Sequence, residues 1–435
     1  MQTESKPAIV LNCFSGPDHG KRLALGEGEV VIGRSAQCNV ASDDADVAER
    51  HVVFRLREGR PSFQTVGDAT LFVDGHAIKE GVLKPRQQIR IGRSLWHLDS
   101  AWAAHGLTDF IDNIGGKIST VAGVEKIQGF DVGEMFSAIF QKRIDEEIEQ
   151  YFSVGGPTTT PDLSIVDTNW PKPWLFFKTF VAAVIVYFCF DFGWHEFQNA
   201  NLLPGLITIG SFVIPFSILI FFFEVNAPRN VSLYQVFKLV LLGGVLSLVL
   251  SLFLFQLTNL DSWMGAPAAG IIEEVGKALA LLLVVNKLKY RWTLNGMLFG
   301  AAIGTGFAAF ESSGYAFRYL WTTQSSQVMT HVIYTRAWLS ILGGHVLWAS
   351  MVGAALWRVR GEERFRWEMV KDIRFLRVLG VAAALHAVWD SNFDPPLYLK
   401  EIVLGFVAWV VILSQIQDGL RQIRLAQVQL TQAGA

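Results

Sequence analysis

From residue 174 onward this chain is a succession of long apolar stretches, at about 174–192, 202–223, 236–255, 264–285, 294–317, 333–357, 375–392 and 397–416. Each can cover a hydrocarbon layer of about 30 Å at about 1.5 Å per helical residue, the seventh only just. Lipid offers the backbone no hydrogen-bond partner, so an open sheet cannot cross it and the eight segments are expected to be helices. Composition agrees, since 51% of the 435 residues are hydrophobic and 17% charged, against a usual charged share of about a quarter. A single soluble globule is excluded. With 37 basic and 39 acidic residues the formal charge is −2, which leaves no whole-chain footprint for nucleic acid. Cys13, Cys38 and Cys189 are too few and too scattered for a disulfide framework or a zinc site.

Residues 8–99 follow another pattern. Ala8–Phe14, Glu29–Ile32, His51–Leu56, Ser62–Val66, Leu71–Val73 and Ile89–Leu98 are short β-rich runs, separated by Gly16-Pro17-Asp18, Glu58-Gly59-Arg60-Pro61 and the hairpin signal Asp74-Gly75. Such spacing predicts an all-β sandwich. Val31-Ile32-Gly33-Arg34-Ser35, Glu49-Arg50-His51, Asp68 to Gly75 and Ile91-Gly92 resemble a forkhead-associated (FHA) domain. The resemblance implies a phosphothreonine pocket holding Arg34, Ser35 and Arg50, because a dianion is met by a guanidinium fork with neutral donors. The sequence departs from that family at Ala48, where a serine would stand, and at Asp68, where an asparagine would stand. A lost hydroxyl and an added carboxylate both weaken phosphate binding, so a plain interaction module is an equal reading.

Residues 100–173 read as a connector. Within it Asp131 to Phe152 has apolar residues at helical spacing, with Asp131 as N-cap and Gly155-Gly156-Pro157 as stop, which predicts one amphipathic helix. Pro157 to Pro173 reads as a Pro/Thr-rich linker. Met1 to Ala8 has no apolar run, so no cleavable signal peptide is expected. With the N-terminus inside, inner loops and tail carry fourteen Lys and Arg and outer loops three, Arg318, Arg336 and Lys400. Both termini are therefore expected in the cytosol of a multi-pass protein of the cell membrane, with 174–420 as the membrane domain and 421–435 as a cytosolic tail.

Charged groups within spans are costly, about 2.5 to 3.5 kcal/mol each, and mark functional sites by default. Glu273, Glu274 and Lys277 lie in the fourth segment, Glu311 in the fifth, His345 in the sixth, and His386 and Asp390 in the seventh. Counted from each outer end at about 1.5 Å per residue, Glu273, Glu311, His345, His386 and Asp390 fall in one layer. Glu273 with Lys277 and His386 with Asp390 are i, i+4 pairs on shared faces, so Lys277 can neutralise one glutamate and leave another carboxylate free. Gly296, Gly300 and Gly304 clear one face of the fifth segment for a close neighbour. Carboxylates and imidazoles with little competing water suit general-base activation of water and protonation of a leaving amine, which is peptide hydrolysis.

The ordered motifs Glu-Glu-x-x-Lys, Phe-x-x-x-Glu, a lone His and His-x-x-x-Asp over about 170–420 resemble the PrsW family of glutamic-type intramembrane proteases. The resemblance implies a peptidase with no cofactor and no metal, in which Glu273 or Glu274 activates water, Lys277 is the charge partner, and Glu311, His345, His386 and Asp390 complete the site. It also implies a single-span membrane protein as substrate, such as an anti-sigma factor, and a cytosolic phosphoprotein as partner of the FHA-like module. A proton- or ion-coupled transporter would show a repeated copy of the acidic segment, and none is found. A zinc metalloprotease is the other alternative, although His-Glu-x-x-His is absent from the sequence.

Overall fold

The computed structural model describes residues 9–25, 28–57, 60–73, 75–83, 88–98, 105–284 and 287–433. The expected turn residues Glu58, Gly59 and Asp74 and the segment before residue 9 lie outside them. Two compact units divide at Asn113 and Ile114.

The first unit holds β1 (Ile9–Ser15), β2 (Arg22–Leu25), β3 (Glu29–Gly33), β4 (Val40–Ala41), β5 (Val52–Arg57), β6 (Arg60–Thr65), β7 (Leu71–Val73), β8 (His76–Ile78), β9 (Glu80–Val82), β10 (Gln88–Ile91) and β11 (Ser94–Leu98). They form two sheets, ordered β2-β1-β11-β10-β7-β8 and β4-β3-β5-β6-β9. The expected single run Ile89–Leu98 is instead a hairpin, because Gly92 takes a left-handed φ of 59° and Ile91 pairs with Ser94. Alternate residues such as Leu11, Ile32, Phe54, Leu71, Ile89 and Trp96 point inward and make the sandwich core. Buried Asp18 is held by Lys21 Nζ at 2.8 Å, Ser42 Oγ at 2.5 Å and the Asp43 N–H at 2.8 Å. Burial opposes its ionisation, yet these donors outweigh burial and keep its carboxyl below the usual range.

The helices are α1 (His105–Ala122), α2 (Val132–Met135), α3 (Asp145–Phe152), α4 (Leu175–Phe197), α5 (Leu203–Val225), α6 (Leu233–Lys238), α7 (Gly244–Thr258), α8 (Asp261–Met264), α9 (Ala268–Val284), α10 (Thr293–Thr323), α11 (Ser326–Ile333), α12 (His345–Arg360), α13 (Ile373–Trp389) and α14 (Leu399–Ala433). All eight apolar segments are helical for most of their length. Among the described residues, six stretches are long and apolar enough to cross a membrane: 175–197, 200–225, 233–258, 293–323, 326–360 and 396–432. The other two segments form α9 and α13, each of 17 residues, so the count of eight spans is not established by length and composition.

The amphipathic helix expected over 131–152 is in fact two pieces, α2 and α3. Asp131 does cap the first, accepting from the Glu134 N–H at 2.7 Å. The break lets Arg143 stack on Trp174 at 4.0 Å and donate to Ala138 O at 3.1 Å, while Ile139, Ile148 and Phe152 bury against Trp174, Leu175 and Ile220. The Pro/Thr segment is likewise pinned. Gln427 on α14 donates to Leu163 O and Val166 O, both at 2.8 Å, and Arg424 to Thr168 O at 2.9 Å.

Glycines bring the site-bearing helices together. A Cβ on Gly270 would lie 2.3 Å from Ala387 N, so α9 and α13 meet backbone to backbone. A Cβ on Gly304 would lie 2.5 Å from His345 O, and α10 runs along α12 in the same way.

Candidate active site

Glu273 and Glu274 sit side by side on α9, both buried. Lys277 Nζ binds Glu274 Oε1 at 2.6 Å, not the i, i+4 residue Glu273 that shares its face. The i+3 contact wins because Glu274 also receives His386 Nδ1 at 3.0 Å, which fixes its carboxylate on that side. Lys277 lies over the Phe307 ring at 4.4 Å and reaches His345 Nδ1 at 3.0 Å. His345 Nε2 is 3.0 Å from Glu311 Oε2, and His386 Nε2 is 3.2 Å from Asp390 Oδ2. Asp390 is the C-cap residue of α13. Six of the seven residues expected to carry the chemistry are joined by these contacts into one network, and Glu273 lies beside it.

Two further residues join it. Arg336, which the sequence places in an outer loop, binds Glu311 Oε2 at 2.7 Å and lies over the Tyr315 ring at 4.0 Å. Trp348, one turn after His345 on α12, stacks on His386 at 4.3 Å with 23° between the planes. The only sequence signals were a lone cation in the apolar stretch after Ser326 and an aromatic at i+3 from His345.

Pairing of charges leaves one group over. Lys277 faces Glu274, Arg336 faces Glu311, and His386 faces Asp390. Glu273 has only the two imidazoles, its Oε2 being 3.8 Å from His345 Nδ1 and 3.7 Å from His386 Nε2, and that buried oxygen makes no hydrogen bond. Glu273 also lines a cavity of about 840 Å³ with Glu311, Arg336, Asp390, Phe255 and Phe310. A carboxylate without a cation, on a cavity wall, is disposed to hold water.

In the β-sandwich, the Arg34 and Ser35 N–H groups donate to Ala48 O and Glu49 O at 2.9 and 3.0 Å, which brings their loop to Arg50. Arg34, however, pairs with Glu49 at 3.3 Å, so a carboxylate of this chain already occupies its guanidinium. Arg50 and Asp68 are exposed, and Ser35 Oγ accepts from the Gln37 N–H at 3.3 Å. Buried His51 is structural, accepting from the Ala48 N–H at 3.2 Å and lying 3.0 Å from Thr70 O.

Polar groups thus converge on a cavity within a helical unit that has stretches long and apolar enough to cross a membrane, in a chain that also carries an all-β unit. Residues 231–416 match the PrsW family of intramembrane metalloproteases, so the chain carries a PrsW-family protease domain, which indicates a peptidase. Residues 12–101 match the cytoplasmic domain of the inner membrane component of the type III secretion system. Solved structures similar to the sandwich include the FHA domain of CT664 from Chlamydia trachomatis, at 18% identity and TM-score 0.21, covering 22% of this chain and 100% of that one. The cytoplasmic domain of the sorting platform protein PscD from P. aeruginosa is 21% identical with TM-score 0.21, covering 22% and 84% respectively. The FhaA FHA domain is 23% identical with TM-score 0.20, covering 21% and 99%. Comparison with curated proteins finds no match.

A metal, which the family description implies, can be tested against the donors. Glu273, His345 and His386 offer three ligand atoms within 4.8 Å of one another. Each histidine has its other ring nitrogen on a carboxylate, Glu311 or Glu274, as metal-ligating histidines usually do. The donor set fits a divalent ion, provided Lys277 leaves His345 Nδ1.

Proposed function

We propose that this protein hydrolyses a peptide bond in a single-span membrane protein, with water activated by Glu273. The observation that carries this reading is the unpaired Glu273 carboxyl on the cavity wall, its Oε2 3.7 Å and 3.8 Å from two imidazoles. Glu273 takes a proton from water as the oxygen attacks the carbonyl carbon. His386, whose Nε2 faces the same point, stabilises the oxyanion, and Glu273 delivers the proton it took to the leaving amine as the C–N bond breaks. Lys277 holds His345 Nδ1 and Glu311 its far nitrogen, while Glu274 holds the far nitrogen of His386 and Asp390 shares His386 Nε2 with Glu273. Anti-sigma factors, which related proteases cut, are one candidate class of substrate.

The convergence of Glu273, His345 and His386 supports a second reading, in which these three residues hold a divalent ion. Such an ion would lower the pKa of bound water and polarise the carbonyl. Exposure of membranes to a strong chelator separates the readings. Cleavage that survives supports the glutamate alone, and cleavage lost and restored by zinc supports the metal.

The excess of Lys and Arg in alternate loops supports cytosolic termini in the cell membrane and cleavage near the outer side. The FHA-like module then faces cytosolic proteins, and a phosphorylated partner would have to displace Glu49 from Arg34. The deciding experiment compares membrane proteomes of cells making wild type, Glu273→Gln or Glu274→Gln. A single-span protein should accumulate uncut with Glu273→Gln, and wild-type cutting by that variant refutes the assignment.

A further inference from the structure

Arg336 has no place in the scheme above, yet it sits at the site. Its Nη2 is 2.7 Å from Glu311 Oε2, its guanidinium lies over the Tyr315 ring at 4.0 Å, and it lines the same cavity as Glu273. The Arg336 side chain is 30% exposed and Glu311 13%, so the pair is largely withdrawn from solvent. Glu311 in turn is 3.0 Å from His345 Nε2, and the opposite nitrogen of that ring looks toward Glu273. A chain of contacts therefore runs from Arg336 through Glu311 to His345 and ends at the candidate water site.

We propose that Arg336 is a positioning residue for hydrolysis, which clamps Glu311 so that Glu311 fixes the tautomer and orientation of His345. This rests on the reading of the cavity as the protease site. The physical reason is twofold. A carboxylate withdrawn from water needs a cation to remain an acceptor, and Arg336 is the cation within reach. With Glu311 Oε2 3.0 Å from Nε2, the tautomer protonated there is favoured, which leaves the His345 Nδ1 lone pair to Lys277 Nζ at 3.0 Å, on the side of Glu273. Arg336 comes from the π-helical turn Tyr334–Trp338, a local widening of the helix that follows α11. Such turns occur often at functional sites. Tyr315, one turn beyond Glu311 on α10, supplies the face that keeps the guanidinium flat against Glu311.

The test uses the full-length protein in cells, with pulse-chase cutting of the single-span proteins that accumulate with Glu273→Gln as the readout. If Glu273→Gln accumulates none, the protease reading fails and takes this inference with it. If it does accumulate them, Arg336→Gln is expected to slow cutting about 10- to 100-fold, the usual loss for a group that orients another. Arg336→Lys should recover part of the rate, since an ammonium still neutralises Glu311 but does not lie flat on the Tyr315 ring. Glu311→Gln should slow cutting by a similar factor, and Arg336→Gln in that background should add nothing. A purely structural Arg336 would lower the melting temperature of the detergent-purified protein and multiply the Glu311→Gln defect. That pattern overturns the proposal. So does wild-type cutting by Arg336→Gln, or a Glu311→Gln variant with no activity left, because Glu311 would then take part in the chemistry itself.

Discussion

Replacing Gly300 by alanine probes how closely the site depends on the contact of α10 with α12. The added Cβ would lie 2.0 Å from Ala349 O, and side chains do not come closer than 3.0 Å to such a group. Both partners are backbone, so the helices must part by about 1 Å, and overpacking of this kind costs about 1–3 kcal/mol. The larger effect is on geometry. His345 opens α12 one turn from Ala349, and its ring is 3.0 Å from Glu311 and 3.8 Å from Glu273. Displacing a positioned group by about 1 Å can cost about 100-fold in rate. Gly314 on the same helix is the control, because its Cβ would meet nothing within 4 Å. Pulse-chase cutting and melting temperature in detergent should both fall for Gly300→Ala, while Gly314→Ala matches wild type. Wild-type cutting by Gly300→Ala would refute the claim that close helix contact sets the site.

Two other expectations are independent of the chemistry. Glu224 on α5 accepts the N–H groups of Trp174, Leu175 and Phe176 at 2.8, 2.9 and 2.9 Å, capping the start of α4, so Glu224→Ala strands three donors. It should destabilise the detergent-purified protein by about 1–3 kcal/mol as read by melting, whereas Glu224→Gln, which keeps one acceptor oxygen, should lose less. In the β-sandwich the depressed pKa of Asp18 adds stability above its unfolded value of about 4, which disappears as pH falls through the lower folded value. Amide hydrogen exchange of β1 and β11 in the full chain should report acid unfolding of this unit that Asp18→Asn makes less steep.

The amino-acid order by itself determined the helical character of the membrane half, the β character of the first hundred residues, and the ionisable residues worth attention. Those follow from local physics: apolar length, alternation, and the cost of charge in lipid. It also showed that Glu273, Glu274 and Lys277 lie within one helical turn or so, but spacing alone could not choose the lysine's partner, since i+3 and i+4 are equally near. Only the docking of α13 decided it, by bringing His386 to Glu274 across 112 residues of sequence. Arg336 and Trp348 escaped notice for the same reason, because their meaning lies in groups from other helices. The hairpin within Ile89–Leu98 and the break between α2 and α3 were set by the φ of Gly92 and by the stacking of Arg143 on Trp174. Periodicity fixes which face a residue occupies; what that face meets depends on how helices rotate and approach, and here glycine contacts such as Gly270 with Ala387 and Gly304 with His345 settle that.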